Sequence, residues 1–126
     1  MVILKGGAKE EDEMHGIQVR KHGGPEVLEY TELPDPVPQE GGVIVRLAAA
    51  GVNFIDVYFR TGLYQTTLPF VPGVEGAGTV EQVGAGVTEV KPGDRVAFTG
   101  IPAAYSELVA APAGRLVRLP DTLGFE

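Results

Sequence analysis

Asn53, Asp56, Tyr58, Arg60 and Tyr64 fall within one short stretch, Gly51 to Tyr64, and bring together an amide, a carboxylate, two phenols and a guanidinium. Set among Phe54, Ile55, Val57, Phe59 and Leu63, such groups can hydrogen-bond a small molecule and stabilise charge developing on it. Each also has a structural explanation. Asn53 and Asp56 have the spacing of an N-cap and an N3 acid, where the amide oxygen accepts from a backbone N–H and the carboxylate reaches back to the cap. That role accounts well for Asp56; for Asn53 the cap and a ligand role weigh equally. Tyr58 fits core packing with a bonded hydroxyl, and Tyr64 a loop aromatic on the wall of the fold. Arg60 suits a helix C-terminus and Gly62 the C′ position after it.

The spacing predicts one brief helix here. Phe54 with Tyr58, and Ile55 with Phe59, are i,i+4 pairs, so apolar groups cover most of it, and such a helix is expected to be buried between other elements. The rest of the chain reads as short strands and turns. Residues 1–13, with Glu10-Glu11-Asp12-Glu13 as a run of like charge, read as a disordered acidic extension. Gly16–Lys21 and Val27–Leu33 alternate apolar and polar residues around Gly23-Gly24-Pro25 and predict a hairpin. Pro34, Pro36 and Pro38 then impose an extended link. Val43–Ala50 is the clearest strand, with Val43, Val45 and Leu47 on one face. Gly73–Gly84 predicts a glycine-rich strand that another backbone approaches closely. Lys91-Pro92-Gly93-Asp94 is a turn with glycine where φ must be positive. Strands are expected at Arg95–Phe98, Tyr105–Ala110 and Arg115–Leu119. The fold class expected is mainly β, a small partly open barrel of seven or eight strands with one or two short helices.

Gly76-Ala77-Gly78 and Gly84-Ala85-Gly86 invite a dinucleotide-binding reading, but Glu81 and Glu89 stand where the third small residue belongs, and no helical pattern follows. These are strand and turn glycines, and no Rossmann unit fits in this chain. At 126 residues the chain has one domain's length. Without cysteine it can hold neither a disulfide nor a thiolate-bound metal, and two histidines, His15 and His22, make a His-rich metal site a poor expectation. The net charge of −7 speaks against a nucleic-acid or anionic-membrane surface. No run reaches the ~20 apolar residues of a membrane span, and the N-terminus lacks the apolar core of a signal peptide, so a cytoplasmic location is the expectation.

The run Val52-Asn53-Phe54-Ile55-Asp56-Val57-Tyr58-Phe59-Arg60-Thr61-Gly62-Leu63-Tyr64 closely resembles the matching motif of the zinc-free, zeta-crystallin-like quinone oxidoreductases of the medium-chain dehydrogenase/reductase superfamily. The likeness extends through His22–Leu28, Pro72–Gly78, Val83–Val87, Lys91–Val96 and Ala104–Glu107, and covers about residues 14–126. It implies a GroES-like domain, the catalytic half of an NADPH-dependent reductase of quinones or related enones. Zinc-containing relatives carry a ligand cysteine at the position of Asn53, a ligand histidine at Val74, and a four-cysteine lobe after the strand matching Asp94–Phe98, so the resemblance implies no metal. Carried over by motif, Tyr58 and Tyr64 become the catalytic pair, Asn53 a nicotinamide contact, and Tyr58, Arg60 and Tyr64 the substrate pocket. Hydride delivery needs two rings held in contact and a hydrogen-bond donor near the oxygen that gains charge; Tyr58 or Tyr64 could donate, and water could supply the final proton.

Full-length members of that family continue into a Rossmann domain and then return to complete the catalytic domain. The resemblance therefore implies a fragment with half a site, inactive or nearly so by itself, and leaves room for a homodimer in the full-length protein. Two other readings remain. A stand-alone GroES-like interaction module of co-chaperonin type would need a mobile, glycine-flanked apolar loop, and the early loops here are proline-rich. An enoyl-reductase portion of a larger synthase would share this domain, and the coding sequence on either side would tell.

Overall fold

The computed structural model describes residues 13–126; the expected extension lies outside the described residues except for Glu13, which opens the first strand. The strands are β1 (Glu13–Val19), β2 (Leu28–Pro34), β3 (Gly42–Ala50), β4 (Glu75–Val83), β5 (Arg95–Thr99), β6 (Leu108–Pro112) and β7 (Val117–Arg118), with one α-helix, α1 (Phe54–Thr61), between β3 and β4. Single 3₁₀ turns occupy Pro25–Val27 and Ala113–Arg115.

β1 and β2 form the expected antiparallel pair, with Glu13 opposite Pro34 and Val19 opposite Leu28. That pairing explains why Glu13 is in a strand: the ladder runs to the first proline, which can still end a strand at an open edge. The other five strands make a sheet in the order β6-β3-β4-β5-β7. Both sheets stay open, and the expected closure is only partial. They meet along β1, where Ile17 N–H donates to Tyr105 O at 2.8 Å and Glu107 N–H to His15 O at 3.0 Å. At the end of β1, Val19 and Phe70 exchange backbone bonds of 2.8 and 3.0 Å.

β3 is an interior strand, paired with β4 on one side and β6 on the other. Val43, Val45 and Leu47 point into the main core with Val80, Val96, Phe98 and Val109, as their alternation predicts. Ile44, on the opposite face, is also buried, against Met14 and Leu108 with Leu33 packed alongside, where the two-stranded sheet covers the larger one. β3 is therefore covered on both faces over this part of its length. The close approach expected of the glycine-rich strand is at Gly78, where a Cβ would overlap the carbonyl oxygen of Arg46 on β3. β4 runs on through Glu81 with no helix after its glycines, as the missing third small residue requires. In the turn before β5, Gly93 has φ +95° and Asp94 N–H donates to Lys91 O at 3.1 Å.

Candidate active site

Both ends of α1 are tied down by polar bonds. At its N-terminus Asn53 is extended (φ −126°) and its N–H donates to Asp56 Oδ2 at 2.9 Å. This is the acidic half of the expected capping box, and it is the firm half. The Asn53 side chain faces the Asp56 N–H without a well-formed hydrogen bond, and that N–H donates to the Asn53 carbonyl oxygen at 3.1 Å. At the C-terminus Gly62 takes the left-handed conformation (φ +86°). There Gly23 N–H donates to Arg60 O at 3.1 Å, Arg60 Nε–H donates to Gly23 O at 3.2 Å, and His22 Nδ1 lies 3.3 Å from the same Arg60 carbonyl. The turn His22-Gly23 thus clasps the end of the helix, where carbonyls lack intrahelical donors.

The helix is not buried in the way its composition suggests. Its one buried residue is Asp56, 5% exposed, while Phe54 is 81% exposed. Asp56 faces inward because it has partners there: besides the Asn53 N–H, the hydroxyl of buried Tyr105 donates to Asp56 Oδ2 at 2.7 Å. A buried carboxylate costs several kcal/mol unless hydrogen-bonded, and here one of its oxygens is. The other, Oδ1, has no hydrogen-bond partner among the described residues, and Asp56 lines a cavity of about 250 Å³ with Arg60, Val57 and Tyr105.

The faces of α1 follow from its geometry. At about 100° per residue Asp56 and Arg60 each fall roughly 160° from Tyr58, whereas Phe54 falls within about 40° of it. Arg60 is accordingly on the inner, clasped side, and the structure does not bring it together with the two tyrosines. Tyr58 and Tyr64 do meet, edge to face with centroids 5.3 Å apart, and Tyr64 also abuts Phe59 at 5.7 Å. Tyr64 N–H donates to Tyr58 O at 3.1 Å, which folds the loop after Gly62 back over the helix end. Phe54, Leu63 and Tyr64 are exposed here, while Tyr58 and Phe59 are half-buried. At the start of the same helix the Asn53 Nδ2 is buried and has no acceptor among the described residues.

The carboxylate of Glu75 lies directly over Gly51, in space that any side chain at 51 would need, and Gly51 N–H donates to Glu75 O at 3.2 Å. Among the described residues no three His, Cys, Asp or Glu side chains are grouped as a metal site. No helix among them is long and apolar enough to cross a membrane.

Sequence reasoning did not single out Tyr105. Its signal was Asp56: a carboxylate inside an otherwise apolar helix needs a donor from elsewhere. Burial, and then the bond to the Asp56 carboxylate, raise the Tyr105 phenol well above its ordinary value of 10.0. A raised phenol contributes stability that is complete below pH 10 and is lost as pH climbs toward the folded-state value, because the unfolded chain ionises first. The urea midpoint of the chain should therefore fall more steeply between about pH 9.5 and 11.5 than that of Tyr105→Phe. Parallel profiles would show that the hydroxyl is not held as described.

Residues 39–121 match the family model described as the alcohol dehydrogenase GroES-like domain. The chain is 52% identical over 112 residues to a quinone oxidoreductase of Pseudomonas aeruginosa, an alignment covering 87% of this chain and 34% of that protein. Among solved structures it resembles Escherichia coli quinone oxidoreductase complexed with NADPH, at 42% identity and TM-score 0.85, over 88% of this chain and 35% of that one. It also resembles a mycobacterial quinone oxidoreductase, at 45% identity and TM-score 0.84, over 90% of this chain and 36% of that one. The chain spans about a third of the length of the curated relatives it matches.

Proposed function

The chain belongs to the alcohol dehydrogenase GroES-like domain family, and from that premise we propose that it forms the substrate-side wall of an NADPH-dependent, zinc-independent reductase of quinones or related enones, as the catalytic portion of a longer protein. One observation carries the reading. A short helix and the loop after it carry exposed Phe54 and Tyr64 and half-buried Tyr58, and at the start of the helix is a buried amide, Asn53 Nδ2, that no acceptor among the described residues satisfies. An orphaned donor at the start of a helix that also carries aromatic rings suits a flat, carbonyl-bearing ring, which both a quinone and a nicotinamide are.

The fit to a nicotinamide is good at that end only. Among the described residues nothing resembles a phosphate cradle, since the glycines of β4 lie inside a strand and no helix N-terminus follows them. When bound, the cofactor supplies the hydride. The chain's own contribution is orientation. Tyr58 and Tyr64 hold the ring plane, and their hydroxyls are the donors available to an oxygen gaining charge. Asn53 Nδ2 directs a carbonyl toward the start of α1, and Arg60, turned away and bound to Gly23, keeps the helix in place.

Two measurements test this. Isothermal titration of the chain with NADPH should show no binding in the micromolar range; micromolar affinity would overturn the half-site reading. Titration of ¹⁵N,¹³C-labelled chain with 1,4-naphthoquinone should move the Tyr58 and Tyr64 ring resonances and the Asn53 side-chain amide ahead of all others. Shifts centred elsewhere, or none up to the solubility limit, would sink the assignment of this face to the ring substrate.

A further inference from the structure

A capping box sets the conformation of a helix end but not its position in the molecule. Asp56 and Asn53 are three residues apart, so the bond between them travels with the helix. The bond from Tyr105, 49 residues away in sequence, does not. Its donor belongs to the junction of the two sheets: Tyr105 N–H donates to Pro72 O at 2.9 Å, and Tyr105 O accepts from Ile17 N–H on β1 at 2.8 Å. The ring fills the space above Gly73, where a Cβ would come within 2.6 Å of Tyr105 Cδ1. Next to it, the Ser106 hydroxyl bridges Ala103 O at 2.7 Å and Leu108 O at 3.0 Å, closing the loop on itself. The phenol is thus carried by the fixed part of the fold. Both it and the Asn53 N–H donate to one oxygen, Asp56 Oδ2.

We infer that Tyr105 is a positioning residue for the site: through the Asp56 carboxylate and the Asn53 N–H, it sets where the first turn of α1 sits on the sheets and hence where the Asn53 amide is aimed. This rests on the reading of Asn53 as the donor to a ring carbonyl. The hydroxyl never touches the ring substrate, since it is buried on the side of α1 opposite Tyr58. A donor displaced by about 1 Å loses most of its orienting value, so a remote phenol can matter to the site without belonging to it. The clasp from His22 and Gly23 holds the far end of the helix, and at the near end the chain is held at Gly51, whose N–H donates to Glu75 O at 3.2 Å, so the Tyr105 bond is what fixes the first turn beyond that point.

Tyr105→Phe keeps the ring and removes the bond, and Asp56→Ala serves as the second variant. In hydrogen exchange on the free chain, the Asn53 N–H of Tyr105→Phe should lose about tenfold or more in protection, while Val45 and Val80 in the central strands change little. On adding 1,4-naphthoquinone, the response of the Asn53 side-chain amide should fall about fivefold or more while the Tyr58 and Tyr64 rings still respond. Asp56→Ala, which removes the shared acceptor, should reproduce both effects, and adding Tyr105→Phe to it should change little further. A lower melting temperature with unaltered Asn53 protection and an unaltered amide response would reduce Tyr105 to a stabilising residue and overturn the inference. Loss of protection in the variant, together with no quinone response in the parent chain, would instead leave the coupling standing and overturn the quinone reading.

Discussion

Gly78→Ala is expected to cost on the order of 3 kcal/mol of unfolding free energy, near the upper end for overpacking a filled interior. Gly78 is on β4, opposite Leu47 of β3 and Val96 of β5, in the middle of the five-stranded sheet. An added Cβ would overlap the Arg46 carbonyl oxygen and approach Leu47 Cα to 2.8 Å. These are backbone atoms, so no rotamer change relieves the clash. β3 cannot move away, because Val43, Val45 and Ile44 hold it in two cores at once. The register of β3 against β4 already shifts between Leu47 and Ala49, so Leu47, which faces Gly78, borders an irregularity that depends on this close approach. Urea denaturation would measure the loss as a lower midpoint at unchanged slope. Gly114→Ala is the control: nothing lies within 4 Å of a Cβ there, and its effect should stay within about 0.5 kcal/mol. Equal effects at the two positions would disprove the close approach.

Asp56→Ala should cost about 3 kcal/mol by stranding two buried donors, each worth roughly 1–3 kcal/mol when left unmade. The donors are the Tyr105 hydroxyl and the Asn53 N–H, which share Oδ2. One term runs the other way. Asp56 Oδ1 is buried without a partner, so the wild-type carboxylate already carries part of its desolvation cost, and the alanine variant is relieved of it. Burial of Asp56 and the bond count make the first term the larger. The contrast is Lys91 with Asp94, where the ammonium lies 2.7 Å from Oδ1 but is itself well exposed; Lys91→Ala should change stability by less than about 1 kcal/mol. Chemical denaturation of the two variants decides the matter. A loss below about 1 kcal/mol for Asp56→Ala would mean that apolar packing, and not the carboxylate, holds α1 to the sheets.

Much of this could be read from residues close together in the chain. The alternation of Val43, Val45 and Leu47, the positive φ of Gly62 and Gly93, and the Asn53–Asp56 spacing all express themselves over a few residues, where backbone sterics and side-chain periodicity leave little choice. The absence of a third small residue after Gly78 was enough to exclude a helix there. The stretch from Gly51 to Tyr64 was also legible as the one helix, together with its cap and its stop. Its resemblance to the quinone oxidoreductases rested on the same short motifs, and the family match agrees with it.

What local pattern could not supply is which side of that helix finds cover. Composition marked α1 as an apolar helix due for burial, yet burial is decided by what packs against it. Here the inward position goes to Asp56, because Tyr105 brings a donor to it across the fold, while Phe54 and Tyr64 are exposed. The same holds for Arg60, whose partner Gly23 comes from the turn after β1, and for Ile44, whose cover is the two-stranded sheet. The sequence by itself determined the elements, their turns and the chemical groups on α1. The tertiary structure alone decided which of those groups meet, because a contact between residues far apart depends on the order of β6-β3-β4-β5-β7 and on how β1 joins the sheets, and no periodicity within a segment encodes either.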